Sequence, residues 1–152
     1  MFSNIKRSKK GFSLVELIVV IAIMAVLVGV LAPSLLVNIE KSRESKDVQV
    51  IDTIAGAVQM ALADEEAEAV KVTTKTKLAD ILGAATPNAF QKAVKDNLGG
   101  KTIGDITLSS ASAKTSDIYV EISATGGVLV TIEKNGAVVQ ADKTKSDFKV
   151  TR

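Results

Sequence analysis

The 152-residue chain has no cysteine, no histidine and no tryptophan, and a single tyrosine, Tyr119. Without cysteine there can be no disulfide, no thiolate metal site and no cysteine nucleophile. Small extracellular domains often lean on disulfides, so any such domain here must hold together by packing alone. The lack of histidine removes the commonest general base and the commonest transition-metal ligand. Charge is nearly balanced, with 19 basic and 17 acidic residues, but it is not evenly spread. Lys6, Arg7, Lys9 and Lys10 all precede Gly11, and no acid does; without those four the remainder carries 15 basic and 17 acidic residues, a net of −2. The body therefore offers no electrostatic case for nucleic acid as a main partner.

What the chain does have is one long apolar run. Leu17–Ala32 contains no polar side chain, and residues 12–37 are 26 mainly apolar positions. As a helix they span about 39 Å at ~1.5 Å per residue, enough to cross a ~30 Å hydrocarbon core. The preceding positive charges place the N-terminus in the cytoplasm and the remainder outside. Glu16 sits inside this run, where a centred charge costs about 2.5–3.5 kcal/mol. A secretory signal peptide does not fit: its apolar core is normally about 7–15 residues, and "VLA" before Pro33 is a poor cleavage context. An uncleaved anchor explains length and orientation but gives Glu16 no purpose. Cleavage between Gly11 and Phe12 gives it one. The new α-amine at Phe12 lies four residues before Glu16 near the head of the helix, where the macrodipole favours a carboxylate. In a bundle, Glu16 of one helix can bind the amine of the next and set axial register, as a buried polar residue does in a coiled coil.

Beyond the apolar run, helix formers continue. Val48, Ile51, Ala55, Val58 and Leu62 repeat at 3, 4, 3 and 4, one face of an amphipathic helix. One helix from about Phe12 to about Asp64 is expected, with a bend at Gly29 and Pro33. Glu40, Lys41, Arg43, Glu44, Lys46 and Asp47 read as a solvated turn or two just outside the membrane. "TKLADILG" suggests a helical turn, and "TPNAFQKAVKDNLGG" a helix capped by Thr86, with Pro87 in its first turn and Gly99 at its exit. "DIYVEIS", "GVLVTIEK" and "AVVQA" read as strands, joined through Gly126-Gly127 and the hairpin signal Asn135-Gly136. "DITLS" is a candidate fourth strand. The expected class is α+β: a long helix, membrane-spanning then amphipathic, packed on a small antiparallel sheet.

"KKGFSLVELIVVIAIMAVLVGVLAP" resembles the leader and first helix of a type IV pilin. The matching elements are a short basic leader of the class III kind, Gly11 at the cleavage site, Phe12 as the new N-terminus, Glu16 as fifth mature residue, and Pro33. The short leader and the Phe are similar to the type IVa subclass of major pilins. The resemblance implies a leader over 1–11, a transmembrane and filament-core helix over 12–37, and a globular head over 38–152. It also implies a membrane-embedded prepilin peptidase that cuts after Gly11 and methylates Phe12. A polytopic platform protein and a cytoplasmic ATPase would drive assembly into a helical homopolymer on the cell surface. Around Gly29 and Pro33 the helix would lose regular hydrogen bonding in the filament. Many pilins close their C-terminal region with a disulfide; this chain cannot, so no disulfide-bounded receptor loop carries over. That absence points toward pilins of Gram-positive bacteria.

Other features carry weaker signals. Asp64, Glu65, Glu66 and Glu68 are clustered oxygens, but no Gly-containing Asp/Asn ligand loop accompanies them, so a solvated acidic loop is the better reading and no metal is expected. Lys143, Lys145, Lys149 and Arg152 read as an exposed edge strand guarded by lysine rather than a nucleic-acid patch, since only Phe148 offers an aromatic for stacking. Serine and threonine are plentiful, but no histidine exists to activate them and no phosphate loop is present, so neither an enzyme nor a cofactor is expected. Two alternatives stand beside the pilus subunit. One is a pseudopilin of a type II secretion or DNA-uptake machine; the other is a membrane-anchored binding domain, which predicts no cleavage after Gly11.

Overall fold

A computed structural model describes residues 11–152. The chain falls into two compact units, one ending at Val37 and the other Asn38–Arg152. Helix α1, Leu14–Ala61, supplies the apolar segment of the first unit and the packing helix of the second. It is helical through Gly29 and Pro33, so neither residue breaks it.

In the second unit α1 is followed by α2 (Glu65–Glu68), the short strand β1 (Thr76–Lys77), α3 (Leu78–Leu82) and α4 (Ala89–Asn97). A 3₁₀ turn (Ile103–Asp105) leads into β2 (Asp117–Ile122), β3 (Val128–Lys134), β4 (Ala137–Val138) and β5 (Lys149–Thr151). All pairings are antiparallel. β3 is central, with β2 along one edge and β4 and β5 sharing the other. The expected α+β class, with a helix on a small antiparallel sheet, is what the fold shows, and it is consistent with a type IV pilin architecture.

Period-two alternation puts Ile118, Val120 and Ile122 of β2 and Val128, Val130 and Ile132 of β3 on the inner face. They bury against Ile51, Ile54, Ala55, Val58 and Ala61 of α1. Val48 and Leu62, at the margins of the expected stripe, pack partly buried against this core. Phe90 and Val94 of α4 complete it, as does Phe148, which is fully buried just before β5. Burying a side chain of that size contributes about 2–3 kcal/mol. The same burial removes the aromatic that a nucleic-acid reading required.

The Asn135-Gly136 signal is borne out. Both residues have positive φ, 55° and 81°, the signature of a two-residue type I′ turn between β3 and β4. Several local expectations are corrected. Asn88, not Thr86, caps α4: its Oδ1 accepts the Gln91 N–H at 2.8 Å while Gln91 Oε1 accepts the Asn88 N–H at 3.0 Å. That reciprocal box leaves Pro87 outside the helix. Gly99, at φ 72°, does terminate it. "DITLS" is not a strand, because Asp105 folds back on Thr102 at its start and the N–H groups of Ser109 and Ser110 go to a carboxylate of α1. "AVVQA" forms a ladder with β3 only at Ala137–Val138, and beyond it Gln140 makes an isolated antiparallel bridge to Asp147. The helix begins at Leu14 and ends at Ala61, since Asp64 leaves it to cap α2 through the Glu66 and Ala67 N–H groups.

Candidate functional site

The N-terminal end of α1 is built by a local device. Ser13 precedes the helix, and its hydroxyl accepts the Val15 N–H at 3.3 Å. Glu16 Oε2 reaches back to accept the Ser13 N–H at 2.8 Å. The pair resembles an S-x-x-E capping box, with the Ser13 hydroxyl on the N–H two residues on rather than three, and it satisfies two donors at the helix start. The signal was present in "FSLVE". The carboxylate in the apolar run is thus hydrogen-bonded within a single chain. Gly11 and Phe12 lie just before this cap, and Phe12 is 94% exposed. The leader cations Lys6, Arg7, Lys9 and Lys10 lie outside the described residues. From Leu14 to Val37 the large apolar side chains are all exposed, an apolar surface that a single chain in water does not leave uncovered.

The charged stretch after Val37 is not a solvated turn, and this corrects the sequence reading. Glu44 and Asp47 are buried, at 1% and 0% exposure, and Glu40 is half-buried. Spaced 4 and 3 apart, they lie on one face of α1 and continue directly into Ile51, Ile54, Ala55 and Val58. Each carboxylate captures loop backbone. Glu40 Oε1 accepts the Ala111 N–H at 2.5 Å. Glu44 accepts the N–H groups of Lys143 and Thr144 at 2.7 and 2.8 Å. Asp47 accepts those of Ser109 and Ser110 at 2.7 and 2.9 Å, and the Ser110 hydroxyl at 2.5 Å. Burial works to raise the Glu44 carboxyl, but the hydrogen bonds from Lys143, Thr144 and Asp142 outweigh it and hold the group below its ordinary value.

Two further ties complete the head. Arg152 Nη2 bonds both Asp52 oxygens at 2.8 Å, with Nε adding a third contact at 3.2 Å, the bidentate geometry an arginine makes with a carboxylate. Arg152 therefore belongs to a clamp and not to a free basic patch. On the outer sheet face Glu133, 2% exposed, takes the Lys75 ammonium at 2.5 Å and the Thr131 hydroxyl at 2.7 Å. β5 carries Lys149, exposed, on the edge half of the sheet, in keeping with a lysine-guarded edge. Within the acidic cluster Asp64 is a helix cap and Glu68 pairs with Lys71. Among the described residues no three carboxylates converge to hold a metal ion.

In chain order, a long helix whose apolar first half is exposed precedes a small head in which its second half packs on an antiparallel sheet. Residues 6–32 match the family described as "Prokaryotic N-terminal methylation motif". The chain is similar to "Prepilin peptidase-dependent protein A" of Clostridium perfringens (strain 13 / Type A), 29% identical over 119 residues, covering 75% of this chain and 78% of that protein. No solved structure matches. The leader motif and this relative support a type IV pilin-like protein, and the long apolar helix suggests membrane anchoring.

Proposed function

We propose that the chain is a structural subunit of a type IV pilus. A prepilin peptidase cuts between Gly11 and Phe12 and methylates the new amine, leaving a mature subunit held in the plasma membrane by residues 12–37. A platform protein and an ATPase then polymerise it into a surface filament whose core is the apolar helices. The heads, residues 38–152, form the outside. Such a filament serves motility, adhesion, biofilm formation or DNA uptake.

One observation carries this reading. Glu16 lies in the first turn of a helix whose apolar side chains are uncovered, four residues after Phe12. In a single chain the Ser13 N–H satisfies it. A mature α-amine is a cation and a stronger partner than a neutral amide, so assembly can exchange one bond for the other and fix register. Gly29 and Pro33 remain the positions at which the helix would yield in a filament, because proline lacks the donor and glycine lowers the cost of unwinding.

The test is mass spectrometry of material sheared from the cell surface. A chain starting at Phe12 with one added methyl group supports the pilus subunit. The same mature chain confined to the membrane fraction would favour a pseudopilin. A chain starting at Met1 would leave an anchored binding domain and overturn the proposal.

A further inference from the structure

Residues 38–47 contain three cations and three carboxylates, and the sequence alone counts them as neutral. The fold separates the two signs. Glu40, Glu44 and Asp47 turn inward and spend their oxygens on backbone N–H groups of two loops. Lys41, Arg43 and Lys46 remain exposed. By holding the Lys143 and Thr144 backbone, Glu44 also draws in two more exposed cations, Lys143 and Lys145. Of the exposed carboxylates beside them, Asp142 serves both of those lysines, at 2.6 and 3.4 Å, and Asp147 serves Lys149. Arg43 meets Glu40 only at 3.4 Å, with Arg43 itself more than half exposed. The outcome is a cationic collar around a buried anionic stripe.

The position of this collar identifies its partner. Lys41 follows Val37, the last residue of the apolar run, by four residues of sequence. Lysine and arginine placed there reach the headgroup layer, and anionic lipid attracts them over roughly one Debye length. We infer that the collar of Lys41, Arg43, Lys46, Lys143 and Lys145 docks the head onto the phosphate headgroups of anionic phospholipid while the subunit is held in the membrane. Glu44 ties the loop 142–146 to this surface through the Lys143 and Thr144 N–H groups. The inference rests on membrane anchoring and not on polymerisation, so it stands or falls separately from the pilus reading.

The experiment places one full-length chain per nanodisc, in phosphatidylcholine alone or with added phosphatidylglycerol, and measures lysine acetylation by a water-soluble ester, site by site, using mass spectrometry. Lys92 serves as the internal control. It lies on α4, which Asn97 ties to the Ala57 carbonyl well beyond the collar. Lys41, Lys46, Lys143 and Lys145 are expected to react on the order of tenfold more slowly with phosphatidylglycerol present, Lys92 unchanged, and the gap to close in high salt. Substituting Lys41→Gln and Lys46→Gln should restore fast labelling at Lys143 and Lys145. Equal rates in both lipids would overturn the inference. So would protection that inorganic phosphate reproduces in phosphatidylcholine alone, which would mean a site for free anions. Protection seen only when two chains share a disc would assign the collar to a second copy, and the lipid assignment would fall.

Discussion

Glu44 and Thr144 are 100 residues apart in sequence, and a Glu44 carboxylate oxygen accepts the Thr144 backbone N–H at 2.8 Å while its other oxygen takes that of Lys143 at 2.7 Å. A buried side chain on the helix thereby closes the C-terminal loop of a head that has no cysteine with which to close it. Glu40 and Asp47 do the same for residues 109–111. The stripe is thus two things in succession, a row of acceptors and then a row of apolar contacts, on one helical face.

Replacing Glu44 with alanine strands two backbone donors and removes the acceptor they share. The expected cost is about 3 kcal/mol, since hydrogen bonds to a charged group are the stronger kind. Heat melts of the detergent-solubilised chain should fall by on the order of 10 °C. Limited proteolysis should open first at residues 142–146. An alanine variant that melts with the wild type would show that water serves those donors equally well.

The same contact makes the head acid-sensitive. Glu44 titrates below its ordinary value in the folded chain, so in the window between the two values the unfolded chain binds the proton and the folded chain does not. Stability from this group is therefore fully present above the unfolded value, about 4.5, and is lost as pH falls through the lower folded value. Melting temperature followed downward in pH should drop more steeply in the wild type than in Glu44→Gln, which cannot titrate. Parallel curves would assign the acid response to other carboxylates.

Asp47 and Ser110 are joined by both the hydroxyl and the backbone N–H of Ser110. A double-mutant cycle of Asp47→Ala and Ser110→Ala should return a coupling of about 1–2 kcal/mol by chemical denaturation. Simple additivity would mean that Asp47 acts on the backbone donors alone.

Gly136 occupies the second position of the β3–β4 turn at φ 81°, and no atom lies within 4 Å of where a Cβ would stand. Any penalty for Gly136→Ala is therefore conformational and not steric. A loss of about 1–2 kcal/mol is expected in the melt, from the left-handed backbone alone. No loss would mean that the turn relaxes to another type without cost to the sheet.

For the processing junction, Gly11→Val should accumulate full-length chain, read by mass. Glu16→Ala should mature and stay in the membrane but fail to enter filaments when it is the sole subunit, read by electron microscopy of sheared material. Normal filaments from Glu16→Ala would remove the register role proposed for the charge.

Much of this protein is carried by local pattern. The apolar run needs only composition. The stripe from Val48 to Leu62 needs only the 3.6-residue period, and the Asn135-Gly136 turn needs only the backbone freedom of those two residues. Serine followed three positions later by glutamate was equally local, and it caps α1. Choosing between Thr86 and Asn88 was harder, because both are good caps; Gln91 decides, being three residues after Asn88. "DITLS" looked like a strand by composition, yet its following donors were claimed from elsewhere.

What sequence alone determined is therefore the apolar helix, the fold class and the leader motif, because each depends on neighbours within a few turns of chain. What only the tertiary structure decided is the fate of the charges. Glu40, Glu44 and Asp47 share the 4-3 rhythm of the core stripe, but a carboxylate enters a core only where donors meet it. Those donors come from loops some 60 to 100 residues away, at Ser109, Ser110, Ala111, Lys143 and Thr144. No local pattern announces a partner at that distance, so a neutral stretch of sequence became, once folded, an anionic interior and a cationic surface.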